Sequence, residues 1–232
     1  MVSINNTRYI LIDEESFHIL TPYYETWMND YLKPKKGDVF LDVGAHLGKY
    51  SLPVAHIVGE DGLVISVEAH PENYRILKRN IDLNELENIY AINVAAWNEE
   101  TTITLYLGDI HGHSSVKYDL GCGQIEVQAC RLDKVLDSLS HVNQLDWVKI
   151  DVEGAEYEVL EGLTKHLVEL SPRLIVEVLH GNKNRVLKFM EKVGYESFLM
   201  MKDPSDQYYY CLFSKCGGSR LANKHTESRH LL

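Results

Sequence analysis

From Gly37 onward, short apolar runs alternate with longer segments of helical periodicity. This alternation restricts the fold more than any other feature. "DVFLDV", "GLVISVEA", "IYAINVAA", "DWVKIDV" and "PRLIVEVL" carry apolar side chains on both faces of an extended chain, so both faces need cover. "GKYSLPVAHIVG", "PENYRILKRNIDLN", "LDKVLDSL", "AEYEVLEGLTKHLVEL" and "NKNRVLKFMEKVG" supply helices to cover them, the fourth broken near Gly162. Parallel strands joined by crossover helices meet both demands. The prediction is an α/β protein with a mainly parallel sheet and helices on both faces. "TTITLYL" alternates as a strand, and "SSVKYDLGCGQIEVQACRL" reads as a hairpin turning at Gly121 and Gly123. "YESFLM" and "YYYCLFS" read as closing strands, and an edge strand near 207–214 offers a route to a homodimer.

The N-terminal part differs. "RYILI" and "FHIL" read as two short strands separated by the acidic turn "DEES". "TPYYETWMNDYL" reads as a helix, with Thr21 as cap, Pro22 at the first position, and Tyr23, Tyr24, Trp27 and Tyr31 at helical spacing. That stripe either packs on the core or forms a lid whose aromatic rings meet a substrate. The expected division is 1–36 as a cap or lid, 37–216 as the ligand-binding domain, and 217–232 as a flexible polar tail.

A chain of 232 residues suits one α/β domain with a substantial core. Its formal charge of −11 argues against a nucleic-acid partner, because such binding rests on clustered Lys and Arg. No apolar run reaches the roughly 20 residues that span a bilayer. The N-terminus lacks the basic and apolar regions of a signal peptide. Cys122, Cys130, Cys211 and Cys216 have no CxxC spacing and read as reduced, mostly buried thiols. Together these features predict a cytoplasmic protein. His111, His113, Cys122 and Cys130 match no common zinc spacing, and no metal is expected.

In doubly wound sheets, ligands sit at the carboxyl ends of the strands. "VFLDVGAHLGKYS" occupies that place after the first strand of the alternating region. Gly44 lets the chain turn, and Gly48 lets the helix start close to the sheet. A dinucleotide fingerprint would need glycine where His46 and Lys49 stand, so that ligand class is excluded. Asp42 adds negative charge where a diphosphate would lie. The bend suits a cofactor with a cationic amino-acid portion and no phosphate. Glu68, ending "SVE", is placed to accept both hydroxyls of a ribose. Asn93, Val94 and Ala95 stand where a nucleoside base would lie against the sheet edge.

"VFLDVGAHLGKYS", "VISVEAHPENYRILKRNIDLN", "INVAAW", "SS", "VKIDVEGAEYEVLEG" and "PRLIVEV" together resemble the FkbM-type S-adenosylmethionine-dependent methyltransferases, from about Gly37 to Leu179. "DVGAHLG" is generic to class I methyltransferases, and "KIDVEGAE" is the specific element. His46 departs from the asparagine that the family commonly has there. The resemblance implies a Rossmann-like fold with a seven-stranded sheet, one strand antiparallel near the C-terminus. It implies S-adenosylmethionine as cofactor, held by Asp42, Gly44, Ala45, His46, Gly48, Tyr50, Glu68, Ala69, Asn93, Val94, Ala95, Ser115 and Asp151. It also implies methyl transfer to a hydroxyl of a small molecule, sugar or glycolipid.

A hydroxyl nucleophile needs a base within hydrogen-bond reach. Glu153, Glu177 and His180, at successive strand ends, are the candidate catalytic residues. Glu153 can instead cap the following helix, and His180 can be a surface histidine. Asp151, Glu153, Glu177 and His180 gathering a divalent metal is a further alternative. Two rival functions remain at this point: an RNA methyltransferase using the basic stretches "KPKK" and "RILKRN", and a non-catalytic cofactor-binding module.

Overall fold

A computed structural model describes residues 1–21, 23–108, 114–139, 142–202 and 207–215. The predicted tail, His111, His113 and Cys216 lie outside these residues. The chain opens with β1 (Val2–Ile4) and β2 (Thr7–Tyr9), an antiparallel pair, followed by α1 (Glu14–Leu20) and α2 (Met28–Tyr31). The core then runs β3 (Val39–Val43), α3 (Ser51–Val58), β4 (Leu63–Val67), α4 (Pro71–Leu83), β5 (Ile89–Ile92), β6 (Ala95–Trp97), β7 (Thr101–Leu107), β8 (Ser114–Ser115) and β9 (Gln124–Arg131). It closes with α5 (Leu132–Ser138), β10 (Trp147–Ile150), α6 (Glu156–Gly162), α7 (Thr164–Leu170), β11 (Arg173–Leu179), a 3₁₀ turn at His180–Asn182, α8 (Lys183–Lys192), β12 (Tyr195–Lys202) and β13 (Tyr208–Lys215).

Seven strands form the central sheet in the order β12-β13-β11-β10-β3-β4-β5. All neighbours pair in parallel except at β13, which is antiparallel to both β11 and β12. This is the Rossmann-like arrangement of class I methyltransferases. Alternation along β3 explains the layering. Leu41 and Val43 pack with Leu136, Leu160, Leu167 and Met190 from α5–α8 on one face. Phe40 faces the other way, against Met28, Val54 and Val58. Each such side chain, taken fully out of water, contributes about 1.5–3 kcal/mol.

Several local expectations change. "FHIL" lies in α1 rather than a strand. Asp13 captures the Ser16 amide at 2.7 Å and the Ser16 hydroxyl at 2.6 Å, and this cap commits an ambiguous apolar run to helix. The aromatic stripe does not form one helix. Turns occupy 23–27, and Glu25 has φ of 55°, which a right-handed helix cannot contain. "IYAINVAA" splits at Asn93: β5 joins the central sheet, whereas β6 pairs with β9 in a separate four-stranded sheet, β6-β9-β7-β8. The expected hairpin between "SS" and "QIEVQACR" is replaced by two pairings to β7, with β8 on one side and β9 on the other. Leu105 of β7 packs with Val127 and Ala129 of β9, which selects that partner. The segment near 207–214 is no edge, because β12 covers β13; the edges are β12 and β5. Among the described cysteines only Cys211 is buried, and Cys122 is exposed.

Candidate active site

A cleft opens at the carboxyl ends of β3, β4, β10 and β11. Its first wall is the bend after β3. Gly44 has φ of 81°, and a Cβ there would lie 1.8 Å from the Asp151 carbonyl oxygen. Glycine is needed so that this bend can meet the end of β10. His46 is also left-handed, with φ of 50°, and its amide donates to Glu68 Oε2 at 2.7 Å. The other Glu68 oxygen accepts from the His70 amide at 2.9 Å. Burial pushes the Glu68 carboxyl up to about 7 against these donors.

The structure brings Gly44, Ala45, His46, Tyr50, Glu68, Ala69, Val94, Ala95, Asp151, Glu153 and Glu177 onto the lining of one cleft. It places the remaining predicted residues around that lining. Asp42 is buried beneath it, accepting from Ser51 Oγ at 2.6 Å, and Ser51 in turn accepts from Ser66 Oγ at 2.7 Å. Gly48 packs on Leu52 and Leu77. Asn93 donates to the carbonyls of Glu68 and Ala69, fixing the loop after β4. Ser115 donates to the Glu153 carbonyl at 2.7 Å, while its neighbour Ser114 reaches the lining. His180 lies outside the lining, its ring 5.4 Å from that of Tyr209.

The loop after β10 is held in an unusual shape. Glu153 has φ of 50° and Gly154 has φ of 108°. Glu156 braces the loop by accepting from the Gly154 amide at 2.7 Å and from Asn182 Nδ2 at 2.6 Å. Glu153 does not cap α6, whose N-cap is Ala155. Its carboxylate instead accepts from the Tyr208 hydroxyl at 2.7 Å. Burial, then the Asp151 charge, pushes Glu153 up to about 7. Glu177 is raised well above the carboxylate range by burial and by Asp151, Glu25 and Glu153.

Three charged lining residues, Lys149, Glu25 and Lys49, escaped the sequence reading. Lys149 is buried and donates to Asp151 Oδ2 at 2.9 Å. Burial opposes its charge, but Asp151, Asp42 and Glu25 outweigh that and hold it above the ordinary lysine range. A lysine inside "WVKIDV" was the available signal, since a buried ammonium demands carboxylate partners. Glu25 accepts from Lys49 Nζ at 2.5 Å and from the Tyr50 hydroxyl at 2.6 Å. Lys49 also lies 4.1 Å over the Tyr24 ring. These contacts explain why 23–27 leave the helical path and border the cleft. Among the described residues, no group of His, Cys, Asp and Glu has the geometry to hold a metal. None of their helices is long and apolar enough to cross a membrane.

The Methyltransferase FkbM domain matches residues 42–197. The chain belongs to the FkbM methyltransferase family. It is 23% identical over 207 residues to Methyltransferase 1 of Beauveria bassiana, covering 78% of this chain and 83% of that protein. It is 25% identical over 189 residues to the methyltransferase sdnD of Sordaria araneosa, covering 67% and 73%. Among solved structures, an FkbM methyltransferase from Methylobacillus flagellatus KT superposes with a TM-score of 0.56 at 17% identity, covering 87% of this chain and 50% of that chain. A methyltransferase from Aquifex aeolicus superposes at 0.51 and 14% identity, covering 87% and 93%.

The protein is thus an S-adenosylmethionine-dependent methyltransferase, and the cleft fits that cofactor. The bend after β3 is free of bulky side chains at Gly44, and Glu68, directly after β4, lines the cleft. Val94, Ala95 and Leu105 give an apolar wall for a base. The acidic side chains Asp151, Glu153, Glu177 and Glu25 gather on the same lining.

Proposed function

We propose that this enzyme methylates a hydroxyl oxygen of a small molecule, sugar or glycolipid, with Glu153 taking the hydroxyl proton. The observation that carries this reading is the setting of Glu153. Its carboxyl lines the cofactor cleft, is fixed by Tyr208, and titrates at about 7. A base poised near the working pH combines a usable ionised fraction with a strong pull on the proton. When bound, S-adenosylmethionine supplies a methyl group on a cationic sulfur, open to in-line displacement. The chain then has two tasks: to hold the acceptor oxygen in line, and to remove its proton.

Burial first, and then the charge of Asp151, raises the proton affinity of Glu153. Asp42, Gly44, His46, Gly48, Tyr50, Glu68, Ala69, Asn93, Ser115 and Asp151 are assigned to holding or shaping the cofactor site. His180, off the cleft lining, is the weaker base candidate. The same cluster of carboxylates repels a phosphate backbone, so a nucleic-acid acceptor is disfavoured.

The test is methyl transfer from labelled cofactor to hydroxyl acceptors, with the new linkage identified by mass spectrometry and NMR. Glu153→Gln should lower kcat by about 10²–10⁴-fold while cofactor affinity by calorimetry is retained. Methyl recovered on nitrogen, or a Gln variant turning over at the wild-type rate, rejects the reading.

A further inference from the structure

Tyr118 is 47% exposed, and its backbone is held in place. The fixing starts at Ser115. The Ser115 hydroxyl donates to the Glu153 carbonyl at 2.7 Å and accepts from the amides of Lys117 at 3.1 Å and Tyr118 at 3.3 Å. The adjacent Lys117 is anchored to Glu158 of α6 at 2.9 Å and lies 4.7 Å over the Trp97 ring. The edge of the Tyr118 ring rests on Gly154, where a Cβ would come within 2.7 Å of its Cε2. Only glycine admits this approach, and Gly154 directly follows Glu153. An exposed aromatic ring therefore lies just outside the cleft lining, against the loop that carries the proposed base.

We propose that Tyr118 is a specificity-determining acceptor contact, a platform on which the flat face of a cyclic acceptor stacks while its hydroxyl reaches Glu153. The shared chemistry is a ring face, either the C–H face of a pyranose or the π face of an arene. Both bury apolar surface against a tyrosine ring. An open-chain polyol presents no such face. This inference rests on the hydroxyl-acceptor reading and narrows it.

The experiment measures methyl transfer to methyl α-D-glucopyranoside, to catechol and to sorbitol, using wild type, Tyr118→Ala, Tyr118→Phe and Glu153→Gln. A ring probe should be used with a lower KM than sorbitol, and the better of the two identifies the acceptor as sugar-like or aromatic. Tyr118→Ala should raise KM for that probe about tenfold, with kcat and cofactor affinity kept. Tyr118→Phe should retain wild-type KM, and the Ala variant should leave KM for sorbitol unchanged. Saturation-transfer NMR on wild type with S-adenosylhomocysteine should place the strongest saturation on one face of the ring probe. That readout needs no variant to fold.

The inference is overturned if neither ring probe is used, if sorbitol is preferred, or if Tyr118→Ala shifts ring and open-chain probes alike or not at all. Failure of the wider reading looks different. An active Glu153→Gln, or methyl on nitrogen, rejects the base and the hydroxyl. A silent Tyr118→Ala beside an inactive Glu153→Gln rejects only the platform.

Discussion

The Tyr208 hydroxyl donates to Glu153 Oε2 at 2.7 Å, tying the start of the last strand to the loop after β10. This bond fixes one carboxylate oxygen of a left-handed residue that lines the cleft. It also makes the ionisation of Glu153 depend on a residue 55 positions away. Tyr208→Phe removes a donor that favours the ionised carboxyl. The pKa of Glu153 should rise, and the ascending limb of the pH–rate profile should move to higher pH. Steady-state rates of the two proteins from pH 5.5 to 9 check this; an unmoved limb would separate Tyr208 from the base.

The base reading fixes the sign of the wild-type profile. Glu153 must be ionised to accept a proton, and its carboxyl titrates at about 7. Turnover should therefore rise through about pH 7 and level off above it. Glu153→Gln should flatten that limb as well as lower the rate.

Lys149 is the cation that the buried carboxylates share. Lys149→Met would leave Asp151 and Asp42 without it. Breaking one side of a buried pair costs about 3–5 kcal/mol, so denaturant unfolding should show a loss of that order. Because Lys149 lowers the Glu153 and Glu177 values, its removal should also push the rate profile alkaline.

Gly44→Ala tests the junction of β3 and β10. The added Cβ would meet the Asp151 carbonyl oxygen at 1.8 Å, and the residue has φ of 81°. Backbone strain and a backbone clash combine, so the variant should lose more than about 3 kcal/mol or fail to fold. Gly121→Ala is the control: its φ is 80°, but nothing lies within 4 Å of the added atom. It should lose only about 1 kcal/mol. Thermal unfolding of both variants separates clash from strain.

Glu68 predicts how stability varies with pH. Its carboxyl titrates at about 7 in the folded protein, raised first by burial. In the unfolded chain it ionises near 4.3. The native state therefore holds a proton that the unfolded state has released between those values. The contribution is fully present below the unfolded value and is lost as pH rises through about 7. It amounts to about 4 kcal/mol. Thermal stability of the cofactor-free protein should fall from pH 5 to 8, and Glu68→Gln should flatten that slope. A slope unchanged in the variant would contradict the assignment.

The sequence alone determined the parallel sheet, the two helical layers, the bend at Gly44 and the acid at the end of β4. These follow from local periodicity and from spacings within one strand–turn–helix unit, where each residue is judged against near neighbours. It also placed Asp151, Glu153 and Glu177 at strand ends, since strand ends can be read from where apolar runs stop. Only the tertiary structure decided that β6 leaves the central sheet at Asn93, that β13 is interior, and that Glu25 crosses to Lys49 and Tyr50. It alone showed Tyr208 on Glu153 and Tyr118 on Gly154. Each of these is a contact between segments far apart in the chain. Such contacts leave no periodicity behind them, because what selects each partner is the burial and charge that exist only once the sheet has closed.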